Sequence, residues 1–385
     1  MLQRKRVITA KIETTYGTDS VPTGAANAIL VRNLNVTPQE ADFTDRDLVR
    51  PFIGRSEQLP AGLRALVDFE VEIAGSGTAG TAPGYGPLLR ACGFAEAVLA
   101  AAVTGTAQAG STATTIILAA SASAVDGFYN GMPVRITAGT GSGQSGFIVA
   151  YNGTSKVATV LSNWTTTPDA TSAYSIDANV AYRPVSTGFE SVSMYFNVDG
   201  VQHKLTGARG TVSLGLTVKQ IPVYKFNFTG IYNTVTDTAL PSPVYTAFQT
   251  PLPVTNVNTT PFALHAFAAV MSELSIDVSN AVVHRTLVGG SEAVLITDRE
   301  PQGSVTIEAT TVAQKDWWTI AKNGTLGGLD ITHGITSGNK VRIGSSRVQL
   351  TKPQYQDMDG VAMLQLGANL VPSTSGNDEL FISVL

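Results

Sequence analysis

The chain has 385 residues, 43% of them hydrophobic and only 14% charged, with a formal net charge of −4. It holds enough apolar mass for more than one core, which excludes wholesale disorder, and the acidic balance disfavours a basic nucleic-acid-binding domain. The single cysteine, Cys92, excludes a disulfide within the chain and any cysteine-built zinc site. The basic N-terminal residues have no apolar run behind them, so no secretory leader is expected. No uninterrupted apolar stretch is long enough to predict a membrane-spanning helix.

Alternation of apolar and polar residues, the period of a half-buried strand, dominates the chain. The first clear instance is Val67 to Ile73, with Val, Phe, Val and Ile on one face and acids on the other. Residues 1–30 lack strong strand signals and read as an N-terminal arm. After Gly84-Tyr85-Gly86 a short helix is predicted over Pro87 to Cys92, closed by Gly93.

Residues 101–178 contain only five charged residues, so they differ in composition from the rest. Short strands are expected there at Thr114 to Leu118, Pro133 to Ile136, Gly146 to Tyr151 and Val157 to Leu161. The segment reads as a small β domain inserted into a surface loop of a larger one.

Further strands are predicted at Ser193 to Val198, Thr211 to Val218 and Val223 to Phe228. Five prolines and many Thr and Asn residues between 241 and 261 suggest an extended linker. Beyond it, strands are expected at Leu274 to Val278, Val305 to Ala309 and Ala362 to Leu366. A second helix is expected over Val312 to Lys322, ending before Gly324. Adjacent helix positions point about 100° apart, so one of Trp317 and Trp318 should pack on the sheet while the other meets solvent or a neighbour.

With the insert removed, the two halves share an order of elements. Arg46-Asp47-Leu48-Val49 is similar to Arg285-Thr286-Leu287-Val288, and Ser56-Glu57 to Ser291-Glu292. Each pair is followed by a strand, a short helix, a Gly-to-Arg turn (Gly207 to Arg209, Gly344 to Arg347) and a late strand. An internal duplication is therefore expected. The first copy would comprise 1–100 and 179–240, and the second 262–385.

Candidate chemistry is thin. Gly75-Ser76-Gly77-Thr78-Ala79-Gly80 matches the dinucleotide pattern G-x-G-x-x-G after a strand. A helix should open at the third glycine, yet Pro83 and Pro87 follow and no parallel βαβ pattern appears, so a plain loop is expected. Gly141 to Gly146 fits the same pattern before a strand. His203, His265, His284 and His333 show no metal-ligand spacing, and neither H-E-x-x-H nor G-x-S-x-G occurs. Cys92 reads as a buried small hydrophobe. No catalytic residue, cofactor or metal is expected.

Several blocks bear a family likeness. Lys11 to Thr18, Ala25 to Val31, Asp45 to Pro51, Gly84 to Phe94 and Leu205 to Gly210 resemble tail tube (major tail) proteins of long-tailed bacteriophages and related prophages. The likeness spans about 1–100 and 179–385, and Gly86-Pro87-Leu88-Leu89-Arg90-Ala91-Cys92-Gly93-Phe94 is its most specific part. The insert departs from it.

The resemblance implies a mainly β, sandwich- or barrel-like fold with one flanking short helix per copy, duplicated here and carrying the small inserted β domain. It implies a non-enzymatic virion protein, made in the host cytoplasm and located in the tail tube. Its partners would be copies of itself, other tail proteins, the tape measure protein and, transiently, DNA in the lumen. A duplicated chain would close a ring with three subunits in pseudo-sixfold geometry, rather than six, and the insert would lie outside. Inter-ring stacking is assigned to Arg46, Asp47, Arg50, Phe52, Ile53, Arg55 and Glu57. Their second-copy counterparts are Arg285, Leu287, Glu292 and Arg299. The competing reading is a β-sandwich adhesin of a virion or cell surface that binds glycans through the insert.

Overall fold

The computed structural model describes residues 2–385. In chain order the first half comprises β1 (Arg6–Ile12), α1 (Gly24–Asn27), β2 (Ala28–Ile29), β3 (Arg32–Thr44), β4 (Leu59–Glu72), α2 (Gly86–Ala91) and β5 (Phe94–Leu99). Next come β6 (Val103–Thr106), β7 (Thr115–Ile117), β8 (Pro133–Ala138), β9 (Ser145–Tyr151), β10 (Val157–Val160) and β11 (Ala173–Ile176). The chain returns through β12 (Asn179–Pro184), β13 (Val192–Val198), β14 (Val201–Thr217), β15 (Val223–Tyr232) and β16 (Thr236–Asp237). The second half holds β17 (Thr259–Leu264), β18 (Met271–Asp277), β19 (Asn280–Leu287), β20 (Ser291–Arg299) and β21 (Gln302–Glu308). It ends with α3 (Trp317–Lys322), β22 (Leu326–His333), β23 (Val341–Met358), β24 (Val361–Leu370) and β25 (Phe381–Val384). The protein is mainly β, as the sequence predicts.

Strand pairing follows one order twice. In the first half β1 pairs β13, β13 pairs β14, β14 pairs β15, β15 pairs β4 and β4 pairs β3, all antiparallel. In the second half β17 pairs β22, then β23, β24, β21 and β18 follow in turn. A short helix precedes β13 and β22 in both series. The halves are joined by a direct ladder. Ser213 to Thr217 at the end of β14 pair with Asp277 to Glu273 of β18, on the side of β14 that β13 has left at Ala208.

One core runs through both halves, from Ile8, Val67 and Phe69 through Leu88, Tyr224 and Phe226 to Leu274, Val305, Leu366 and Ile382. The alternation on β4 explains its share. Ala65, Val67, Phe69 and Val71 are buried while Leu66, Asp68, Glu70 and Glu72 are half-exposed. Residues between β5 and β12 form a six-stranded sheet, ordered β6-β11-β8-β9-β10-β7, around a separate core that includes Ile116, Ile136, Ile148 and Tyr174.

Three local expectations are corrected. The N-terminal arm contains a full strand, β1, whose Val7, Ile8, Thr9 and Ala10 are all buried. A strand covered on both faces does not alternate, so the period-two signal is missing. The second helix starts at Trp317, not Val312. Asp316 caps it by accepting the Thr319 N–H at 2.9 Å, and residues 311–315 form a turn ahead of the cap. A one-turn helix, α1, stands in the same arm, where the sequence carries no helix signal. Trp317 is buried and Trp318 lies half-exposed beside Tyr355, the split expected from helix geometry.

Candidate assembly interface

The β19–β20 hairpin is anchored to the first half of its own chain. Asn280 Nδ2 donates to the carbonyls of Cys92 (2.8 Å) and Gly210 (2.9 Å). Arg209 donates to the carbonyls of Val294 (2.9 Å), Phe189 (2.7 Å) and Glu190 (3.2 Å), and its guanidinium lies 4.7 Å from the centre of the Tyr16 ring. The Tyr16 hydroxyl accepts from the Val294 N–H at 2.6 Å. Burial raises the Tyr16 pKa, so the phenol stays protonated at neutral pH.

Glu13 fixes this anchor from below. Its two carboxylate oxygens accept from the N–H groups of Gly17 (2.7 Å) and Gly207 (2.8 Å) and the hydroxyls of Ser191 (2.6 Å) and Ser193 (2.8 Å). Gly207 has φ +58°, and a Cβ there would lie 2.8 Å from the Tyr16 ring, so only glycine fits. Sequence reasoning marked Lys11 to Thr18 and Leu205 to Gly210 as family blocks without seeing that they meet. The available signal was a lone acid in an otherwise uncharged stretch, Ile12-Glu13-Thr14-Thr15, and a glycine two residues before an arginine.

The corresponding segment of the first half, the β3–β4 hairpin, ends in solvent. Arg46 pairs with Glu57, which Arg50 also meets at 3.6 Å, and Arg50 lies 5.9 Å from the Phe52 ring centre. These four predicted residues come together. Asp47, Ile53 and Arg55 stand apart from them, exposed. Phe52 is 63% exposed, and Val49 and Ile53 are wholly so. Just below the tip loop, Arg64 donates to Asp42 at 2.8 Å and holds that carboxyl below its usual range.

The predicted counterparts divide likewise. Arg285 and Leu287 are exposed near the tip of β19–β20, and Glu292 accepts from His284 at 2.9 Å. Arg299 instead turns into its own chain, to Glu379 (2.6 Å) and the Val185 carbonyl (2.8 Å).

The other motifs are structural. In the glycine loop, the Gly75 N–H donates to Asn339 Oδ1 at 2.7 Å and the Gly77 N–H to the Gly338 carbonyl at 2.9 Å. A Cβ on Gly75 would meet that carbonyl at 2.1 Å, so the glycines let two loops touch. Burial pushes the Cys92 thiol pKa well up, which leaves it a poor nucleophile. Burial lowers His203, His265 and His333. The small six-stranded unit is held against the second half. The buried pair Arg342–Asp330 (2.6 Å) carries Phe147 4.9 Å from its guanidinium, while Leu161 and Phe147 rest on the bare backbones of Gly328 and Gly344.

The anchors Glu13, Tyr16, Arg209 and Asn280 thus join segments of one chain, and the three wholly exposed apolar residues, Val49, Ile53 and Val288, lie at the tips of the two hairpins. A family model described as phage tail tube protein matches residues 3–369, nearly the whole chain, and the chain belongs to that family. It is a structural component of a phage tail that assembles with itself and with other tail proteins. No curated protein matched significantly. Among the described residues no helix is long and apolar enough to cross a membrane.

Proposed function

We propose that copies of this chain close into rings and that the rings stack into a hollow tube, first around the tape measure protein and then as the conduit for DNA. The observation that carries this reading is the family match over almost the full length, joined to a strand order that occurs twice in one chain. Two copies of one unit per chain let three chains close a ring with pseudo-sixfold geometry, because closed rings require each lateral contact to be repeated around an axis. A head-to-tail contact along that axis propagates without closing.

The exposed tip of β3–β4 is the proposed axial contact, with Phe52 and Ile53 as apolar anchors and Arg46, Asp47, Arg50, Arg55 and Glu57 as its charged rim. The tip of β19–β20, bearing Arg285, Leu287 and Glu292, occupies the alternate position. The slight acidic excess suits a lumen that repels the phosphate backbone. The unit formed by β6–β11 lies outside the ring.

Electron microscopy of the purified protein, with end-on class averages, tests the reading. Hollow rings with three projecting lobes are expected. Six equal lobes would overturn three-chain closure, and compact particles at every concentration, even with tail initiation proteins added, would overturn the tube.

A further inference from the structure

Two strand edges are open in ways that match each other. In the second half, β22 leaves β23 at Gln349, and beyond it residues 351–358 pair only with β24 on the opposite side. The equivalent place on β14, after β13 leaves, is filled by β18. In the first half, β3 takes the place that β18 holds in the second, yet among the described residues β3 pairs only with β4. No described strand lies on its other edge, whereas β18 is held between β14 and β21.

An open edge presents a row of unpaired N–H and C=O groups and is a template for another strand. Both edges carry a proline at a register shift, Pro38 on β3 and Pro353 on β23, where the absent N–H limits how far pairing can spread. The face beside the β23 edge is also incomplete. Arg209, just after the bulge of β14, gives one bond to the Val294 carbonyl of the β19–β20 hairpin and two to Phe189 and Glu190 of its own half, while Arg347, within the matching bulge of β23, has a buried Nε with no hydrogen-bond partner among the described residues. Tyr355 and Met358 on the same stretch are 65% and 47% exposed.

We infer that the joint between the two halves of one chain is repeated between chains: β3 of one copy pairs antiparallel with residues 351–358 of β23 in the next. The base of the neighbour's β3–β4 hairpin then lies over β23 as β19–β20 lies over β14. The occupant is a second copy of this chain, because the intrachain ladder shows the geometry that these two edges can form. The inference rests on the ring reading and adds its contacts. It also divides labour within β3–β4, with the base closing the ring and the tip facing along the axis.

Gln354→Cys combined in turn with Asn35→Cys, Thr37→Cys, Gln39→Cys or Ala41→Cys tests it, using the full chain and a short bismaleimide that tolerates a small register offset. Buried Cys92 supplies an internal blank. At least one pair should give covalent products of two and three chains and none larger, while each single cysteine gives at most two. Rings visible by microscopy with no product from any pair would overturn the joint and leave the ring reading standing. Failure to form rings or tubes under any condition would overturn both. A ladder continuing past three chains would overturn three-chain closure.

Discussion

The β19–β20 and β3–β4 hairpins hold the same place in two equivalent strand orders, yet one is fastened and the other is bare. β19–β20 is fastened through Val294 to Tyr16 and Arg209 and through Asn280 to Cys92 and Gly210, with Leu287 and Val288 of its tip in solvent, whereas the tip of β3–β4 lacks such bonds among the described residues and offers Val49, Phe52 and Ile53 to solvent. Sequence chemistry does not account for the difference, since both tips carry Arg, Leu, Val and Glu. Position does. The second hairpin has a preceding half to lean on, and the first has none within its own chain. In the proposed ring, one chain would therefore show its interface twice, once satisfied and once open.

The sharpest way to break this comparison is to unfasten the satisfied hairpin. Arg209→Leu removes three carbonyl partners and the stacking on Tyr16. It should cost about 2–4 kcal/mol of stability, read from denaturant midpoints. Arg347→Leu should cost under about 1 kcal/mol in the isolated chain and still impair ring formation, because the carbonyl that matches Val294 would come from a neighbour in the proposed ring. Equal losses for the two variants would remove the asymmetry.

Tyr16→Phe takes away one hydrogen bond to the hairpin and keeps the ring under Arg209. A loss of about 1 kcal/mol is expected, accompanied by faster amide exchange at Val294. Unchanged exchange there would show that the hydroxyl does not fasten the strand.

Acidity should separate the halves further. Burial lowers the pKa of His265 and His333, both in the second half, and of His203 in the first. As pH falls through about 6.5 the unfolded chain takes up protons that the folded chain resists, so stability present at pH 7.5 declines toward pH 5. His265→Gln keeps a donor toward the Val348 carbonyl, which His265 Nε2 meets at 2.9 Å. This variant should flatten the melting temperature against pH. A slope unaltered by it would assign the acid response elsewhere.

The smallest effect on folding is expected at the bare tip. Phe52→Ser with Ile53→Ser should change stability by under about 0.5 kcal/mol, because neither side chain is buried. Tube length measured by microscopy should nevertheless shorten. Full-length tubes from this double variant would exclude the tip from axial contact.

The sequence disclosed the class of fold because strands such as β4, with one wet face, alternate cleanly. It concealed β1, whose residues are covered on both sides, and the long β3 and β23, whose outer portions face solvent on both sides. The tip residues Arg46, Arg50, Phe52 and Glu57 were legible as one mixed-charge loop, and they do meet. The Glu13, Tyr16, Gly207 and Arg209 anchor was not, since its members lie up to 196 positions apart and only the pairing of β1, β13 and β14 brings them together. Arg299 looked like a tip residue by analogy with the first half, and its turn toward Glu379 depends on a C-terminal segment that the analogy did not include.

The β14–β18 ladder also bears on mechanics. One 17-residue strand serves both halves, so in the proposed ring each chain would behave as a stiff tile spanning two positions. When such a tail bends, strain would gather at the seams between tiles instead of within them. Flexibility would then follow a three-fold pattern around the wall, even though the surface looks six-fold.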